Sequence, residues 1–95
     1  MAAYLIADVD VIDPAGFAEY QQKVAATITQ YGGRYLVRGG ATDVLEGDLS
    51  PRRCVVLEFS SMAKLKTWYA SPEYAPLIAI RERTTKSRLM AAEGI

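Results

Sequence analysis

Histidine is absent from this 95-residue chain, and cysteine occurs only once, as Cys54. Without imidazole and with a single thiol, structural zinc, histidine-ligated haem and Ser-His or Cys-His nucleophilic catalysis are excluded. One cysteine also excludes an internal disulfide and favours a reducing compartment, so we expect a cytoplasmic protein. Acid–base chemistry would depend on carboxylates, tyrosines, lysines or water, and we expect no cofactor and no metal.

The sequence also lacks an excess of charge and a long apolar run. Eleven basic and eleven acidic side chains give a net charge of zero, so we expect neither nucleic acid nor an anionic membrane as a partner. No run approaches the roughly 18 apolar residues of a membrane helix, and the N-terminus lacks the basic start of a signal peptide. The composition, 51% hydrophobic and 23% charged, is typical of one folded domain spanning 1–95.

Strand and helix signals alternate in the first half of the chain. Residues 4–11 alternate as a strand, with Leu5, Ala7, Val9 and Val11 on its wholly apolar face. Asp13-Pro14 supplies an N-cap and a first-turn proline for a helix that Gly32-Gly33 ends. A second strand is predicted over 34–46, with a bulge at Gly39-Gly40.

The second half repeats the order strand, helix, strand. A turn at 47–51 and a third strand over 52–59 form a hairpin with the second strand. A short helix follows Ser60 or Ser61, and Ser71-Pro72-Glu73 predicts a helical restart. The tail, 87–95, is predicted as a fourth strand.

The order β-α-β-β-α-β with a central hairpin predicts an α+β, ferredoxin-like fold. Right-handed crossovers place the first and third strands in the centre of a four-stranded antiparallel sheet, with the helices on one face. The opposite face is too apolar to remain in water, since it carries Tyr4, Ile6, Leu36, Cys54 and Val56. A second copy would cover this face, so we expect a homodimer, a dimeric α+β barrel.

Two blocks, Tyr31-Gly32-Gly33-Arg34 and Trp68-Tyr69-Ala70-Ser71-Pro72-Glu73-Tyr74, give the chain its strongest likeness to a known family. Together with shorter matches such as Val56-Leu57-Glu58-Phe59, they make the sequence resemble the DUF1330 family of the dimeric α+β barrel superfamily. The resemblance implies the fold and the dimer and brings no assigned activity. Other branches of that superfamily include cofactor-free monooxygenases, lactone isomerases and haem enzymes, and the lack of histidine argues against the haem branch.

Asp8 and Glu58 are the candidate catalytic residues. Alternation places both on the mixed, dimer-facing side of the two central strands, within predicted reach of each other. A bulge at Gly39-Gly40 would bring Arg38 to the same face, diagonal to Glu58. The three charges predict either a pocket between two sheets, used for proton transfer or ligand capture, or an ion-pair network that fixes the dimer.

Tyr69, Tyr74 and Arg81 are further candidate ligand-binding residues. The two tyrosines flank the break between helical segments and would either wall a small ligand or pack at an edge with their hydroxyls bonded. Arg81 begins a basic cluster with Arg83, Lys86 and Arg88, which either steers an anionic ligand or only complements the helix dipole. Two functions therefore fit: a protein that binds or turns over a small organic acid or carbonyl compound without a cofactor, and a structural module with no ligand.

Overall fold

The computed structural model describes all 95 residues and contains four strands and three helices. The elements are β1 Ala3–Val11, α1 Pro14–Gln30, β2 Arg34–Arg38, β3 Cys54–Phe59, α2 Met62–Tyr69, α3 Ala75–Thr84 and β4 Thr85–Glu93. None of the helices combines the length and the apolar character that a membrane span requires. The predicted order of strands and helices is confirmed, with the second helical region divided into α2 and α3.

The four strands form one antiparallel sheet in the order β2-β3-β1-β4, which puts β1 and β3 in the centre as predicted. All three helices cover one face of this sheet. The buried residues of this layer form one cluster: Ala3, Leu5, Val24, Ile28, Leu57, Phe59, Leu65, Trp68, Tyr74, Leu77 and Ile80. The ferredoxin-like α+β fold is thus confirmed.

Local signals explain where the helices begin. The Asp13 side chain accepts a hydrogen bond from Gly16 N at 3.2 Å, and the Ser61 hydroxyl accepts one from Lys64 N at 3.1 Å. Asp13 is therefore the N-cap of α1 and Ser61 the N-cap of α2. Ser71 differs from the prediction. Its hydroxyl accepts from Tyr74 N at 3.2 Å within a single turn, and α3 begins only at Ala75.

The predicted length of β2 is wrong. The strand ends at Arg38, and its bulge lies between Tyr35 and Val37 rather than at Gly39-Gly40. Gly39 has a positive φ of 72°, a left-handed conformation that turns the chain out of the sheet. Residues 40–53 then form a long connection without regular strand pairing.

The sheet face away from the helices has an apolar centre and charged margins. Ile6 lies between Val56 on β3 and Met90 on β4, and 60% of Met90 is exposed. Nearer the end of the sheet, Asp8 lies opposite Arg88. This surface, called the outer face below, matches the predicted mixed face of β1 and β3.

Candidate ligand cavity

A cavity of about 50 Å³ lies between the helical layer and the sheet. Twelve of its sixteen lining residues are apolar or aromatic, among them Leu5, Val24 and Val55. The other four are Gln21, Arg38, Arg53 and Arg81. Three arginines therefore line a largely apolar cavity whose lining includes no carboxylate.

Arg81 is the most deeply buried of these cations. Only 6% of its surface is exposed, and its Nη2 donates to the Tyr69 hydroxyl over 3.5 Å. Its Nε has no hydrogen-bond partner in the protein. The chain forms two ion pairs, Lys23–Glu19 and Arg34–Glu58, so no carboxylate compensates the buried charge of Arg81.

Two tyrosines, the buried Tyr74 and the half-buried Tyr20, lie beside this guanidinium. The hydroxyl groups of Tyr20 and Tyr74 are 2.8 Å apart and share a hydrogen bond. Burial raises the pKa of both hydroxyls above the ordinary tyrosine value, so both remain protonated at neutral pH. Tyr74 packs on Trp68 with ring centroids 4.1 Å apart, and Trp68 Nε1 donates to Thr27 Oγ1 at 3.0 Å. The tyrosine pair is therefore held in place by the core.

The two other arginines lie where the cavity meets solvent. Arg38 is exposed and Arg53 is half-buried. The guanidinium carbon of Arg38 lies 4.5 Å from the ring centroid of Tyr35, a cation–π geometry. The backbone of Gly39 passes so close to the Arg53 guanidinium that a side chain at position 39 would overlap it. Gly39 thus allows Arg53 to reach the cavity.

The structure does not bring the three residues Asp8, Glu58 and Arg38 together. Asp8 pairs with Cys54, whereas Glu58 pairs with Tyr4, which separates the carboxylates by four residues along the strands, roughly 13 Å. Arg38 pairs with Val55 and lines the cavity on the helix side. The predicted proximity is wrong because side-chain parity fixes the face of each residue but not its position along the strand. The predicted face of Arg38 is wrong because the bulge precedes Arg38.

Each carboxylate has a local partner on the outer face. Asp8 Oδ1 accepts from Arg52 N at 2.8 Å and from Arg53 N at 3.3 Å, which anchors the end of the long connection to β1. Glu58 Oε1 accepts from Arg34 Nε and lies 2.7 Å from Arg34 Nη2. The first interaction holds the long connection against β1 and the second joins β2 to β3, and neither carboxylate lines the cavity.

Of the other candidate residues, Arg81 alone lines the cavity. Arg83, Lys86 and Arg88, its neighbours in the basic cluster, are exposed. Tyr74 is fully buried and lies beside Arg81, with its hydroxyl bonded to that of Tyr20. Tyr69 lies at the edge, 38% exposed, with its hydroxyl near Arg81.

Sequence reasoning missed Tyr20, Tyr35 and Arg53 as lining residues. Tyr20 belongs to the apolar stripe of α1, a pattern that indicates core. Arg53 shares its alternation parity with Val55 and Leu57, which both point to the helices. That parity was the available signal for a cation directed into the interior.

The chain has the same fold as several solved structures, and these proteins are described in different ways. A protein of unknown function from Rhodopseudomonas palustris is 18% identical, with a TM-score of 0.79 over 99% of this chain and 82% of its own. A dimeric ferredoxin-like protein of unknown function from Jannaschia sp. CCS1 is 10% identical, with a TM-score of 0.72 over 99% and 100%. A cofactor-independent oxygenase from Streptomyces nogalater is 13% identical, with a TM-score of 0.67 over 99% and 93%. At these identities the likeness shows a shared fold alone.

At the level of sequence, residues 2–95 match the family described as "Domain of unknown function (DUF1330)". No curated protein matches the chain.

Proposed function

The chain belongs to the DUF1330 family, and we propose that it binds a small organic acid in the cavity between the helices and the sheet. One observation carries the proposal: Arg81 is buried in a largely apolar cavity without a carboxylate partner. Because guanidinium cannot lose its proton at physiological pH, this charge is present in the interior.

A bound carboxylate would compensate the charge of Arg81. Burying an ion costs several kcal/mol when no partner restores the lost hydration, and Nε already lacks a protein acceptor. The Nε–Nη2 edge of guanidinium matches the two oxygens of a carboxylate. Arg38 and Arg53 at the solvent end would attract the same anion as it enters.

The rest of the ligand is apolar and small. Leu5, Val24, Ile28 and Val55 line the walls. The volume of about 50 Å³ is far below the roughly 300–1,000 Å³ of a typical ligand pocket, so it limits the ligand to a short hydrocarbon body next to the acid group. Asp8 and Glu58 lie on the outer face and do not line the cavity. The geometry therefore supports binding of an acid but not proton transfer by these two carboxylates. The chain shares its fold with a cofactor-independent oxygenase, but this likeness does not support an oxygenase activity for the chain.

Titration of the chain with butanoate and benzoate, followed by calorimetry, tests the proposal. The Arg81→Met variant should lose about 10- to 100-fold in affinity, as expected for one charge-assisted hydrogen-bonding group. Its free energy of unfolding should be unchanged or higher, because a buried charge without an ionic partner is removed. The Arg81→Lys variant keeps the charge but loses the paired N–H donors of the guanidinium, and should bind with intermediate affinity.

The matched control is Arg83→Met, on an exposed position of the same helix. It should bind both acids as the unchanged protein does. Equal affinities for the Arg81 and Arg83 variants would reject Arg81 as the binding group. No binding of either acid would reject the proposal and favour the structural module without a ligand.

We also propose that two copies associate through their outer faces. Ile6, Val56 and Met90 form the apolar centre of that face, and 60% of Met90 is exposed in the single chain. A symmetric pair would remove this surface from water. The Jannaschia protein with the same fold is described as dimeric.

A further inference from the structure

A second, apolar groove of about 440 Å³ runs between the end of α2 and β4. Seven of its eight lining residues are apolar or aromatic. They are Leu5, Leu65, Tyr69, Ala70, Leu89, Met90 and Ala91. The eighth is Lys66, so this groove, like the cavity, contains a cation and no carboxylate.

The groove and the cavity adjoin each other. Leu5 and Leu89 line both. Tyr69 lines the groove, while its hydroxyl lies 3.5 Å from Nη2 of Arg81, which lines the cavity. The side chain of Tyr69, which is 38% exposed, therefore stands between the groove and the Arg81 guanidinium.

We infer that the ligand is an amphipathic acid, whose carboxylate lies on Arg81 and whose hydrocarbon chain extends past Tyr69 into the groove. The inference rests on the proposed function and narrows its ligand class. The charge of Arg81 lies in the cavity and the adjoining groove is apolar, so a short acid fills only the cavity. A chain of several further methylenes gains the contacts of Leu65, Leu89 and Ala91.

Straight-chain alkanoates of four to ten carbons provide the test, with dissociation constants measured by calorimetry on the full chain. Butanoate gives the reference for the cavity alone. For longer acids, the affinity should rise about threefold to fourfold with each methylene that enters the groove. A straight-chain alcohol of equal length should bind much more weakly, because it brings no charge to Arg81.

The Ala91→Asn variant places an amide in the groove without a change in net charge. Ala91 is exposed in the chain, so the substitution should be tolerated by the fold. The gain per methylene should fall well below threefold in this variant. It should persist in the matched control Ala79→Asn, an exposed position on α3 that lines neither space.

The outcomes separate this inference from the proposed function. If butanoate binds in an Arg81-dependent way but longer acids gain nothing, the inference is wrong and the proposed function stands. The inference is equally wrong if the gain survives in Ala91→Asn, or if the second copy on the outer face, which would contact Met90, also covers Leu65 and Ala91. If no alkanoate binds in an Arg81-dependent way, the proposed function itself fails.

Discussion

Asp8 illustrates how a carboxylate on a mixed strand face can be structural. Its Oδ1 accepts two backbone N–H groups, from Arg52 and Arg53. Those bonds fix the point at which the long connection enters β3, one residue before Cys54. Because Arg53 lines the cavity, Asp8 also helps to position that guanidinium from the opposite side of the sheet.

Replacing Asp8 separates this anchoring role from the predicted catalytic one. The Asp8→Ala variant should lose about 1–2 kcal/mol in free energy of unfolding, because two backbone donors lose a charged acceptor. Asp8→Asn keeps an acceptor oxygen and should lose less than about 0.5 kcal/mol. Urea unfolding measures both. A large loss in Asp8→Asn with an equal loss in Asp8→Ala would show that the negative charge matters, and not the two hydrogen bonds.

Single residues of the site were predictable where helical spacing determined them. Arg81 lies four residues after Leu77 and seven after Tyr74, a spacing that puts the three on one helix face, and the structure buries all three. Arg83, the exposed neighbour of Arg81, lies off that face. Nothing in the local sequence shows that Arg81 would lack a carboxylate, because that depends on every element packed around it.

At the scale of elements, turn chemistry decides where the strands end. The alternation of the second strand continues past Arg38, so sequence periodicity extends the predicted strand to residue 46. The positive φ of Gly39 ends it instead, and Gly39 N donates to Cys54 O at 2.8 Å. Caps such as Asp13 and Ser61 were predictable because one side chain satisfies one local donor. The bulge between Tyr35 and Val37 has no such signature.

Gly39 and Gly40 offer a matched pair for the role of that turn. Gly39→Ala should lower the free energy of unfolding by about 1–2 kcal/mol, the cost of an alanine in the left-handed region. It should also weaken acid binding, since the new methyl overlaps the Arg53 guanidinium. Gly40→Ala meets no atom within 4 Å and should be neutral or slightly stabilising. Urea unfolding and butanoate titration check both, and equal behaviour of the two variants would contradict this role for Gly39.

At the scale of the whole molecule, the two sheet faces have different roles. The helix-covered face carries the core and the arginine-lined cavity, and the outer face carries Asp8, Glu58 and the exposed apolar centre. Alternation assigned most of these residues to the correct face, and the order of strands and helices predicted the fold. It could not give the register, which depends on pairing across strands that are distant in sequence. The cavity was therefore expected between two sheets and lies instead under the helices.

Ile6 and Ile12 test the proposed pairing of outer faces. Ile6 is central on that face, between Val56 and Met90, whereas Ile12 is 57% exposed beyond the end of β1. In a twofold pair, Ile6→Lys removes two buried isoleucines and brings two charges together near the axis. The cost of about 3 kcal/mol or more should weaken the dimer by at least roughly 100-fold.

Sedimentation equilibrium over a range of concentrations measures this loss, and circular dichroism checks that the single chain stays folded. Ile12→Lys adds the same charge away from the outer face and should leave the dimer intact. A dimer equally stable in both variants would place the interface elsewhere. A wild-type chain that sediments as one copy at every concentration would contradict the proposed pairing. The apolar centre around Ile6 and Met90 would then remain exposed to water, as it is in the single chain.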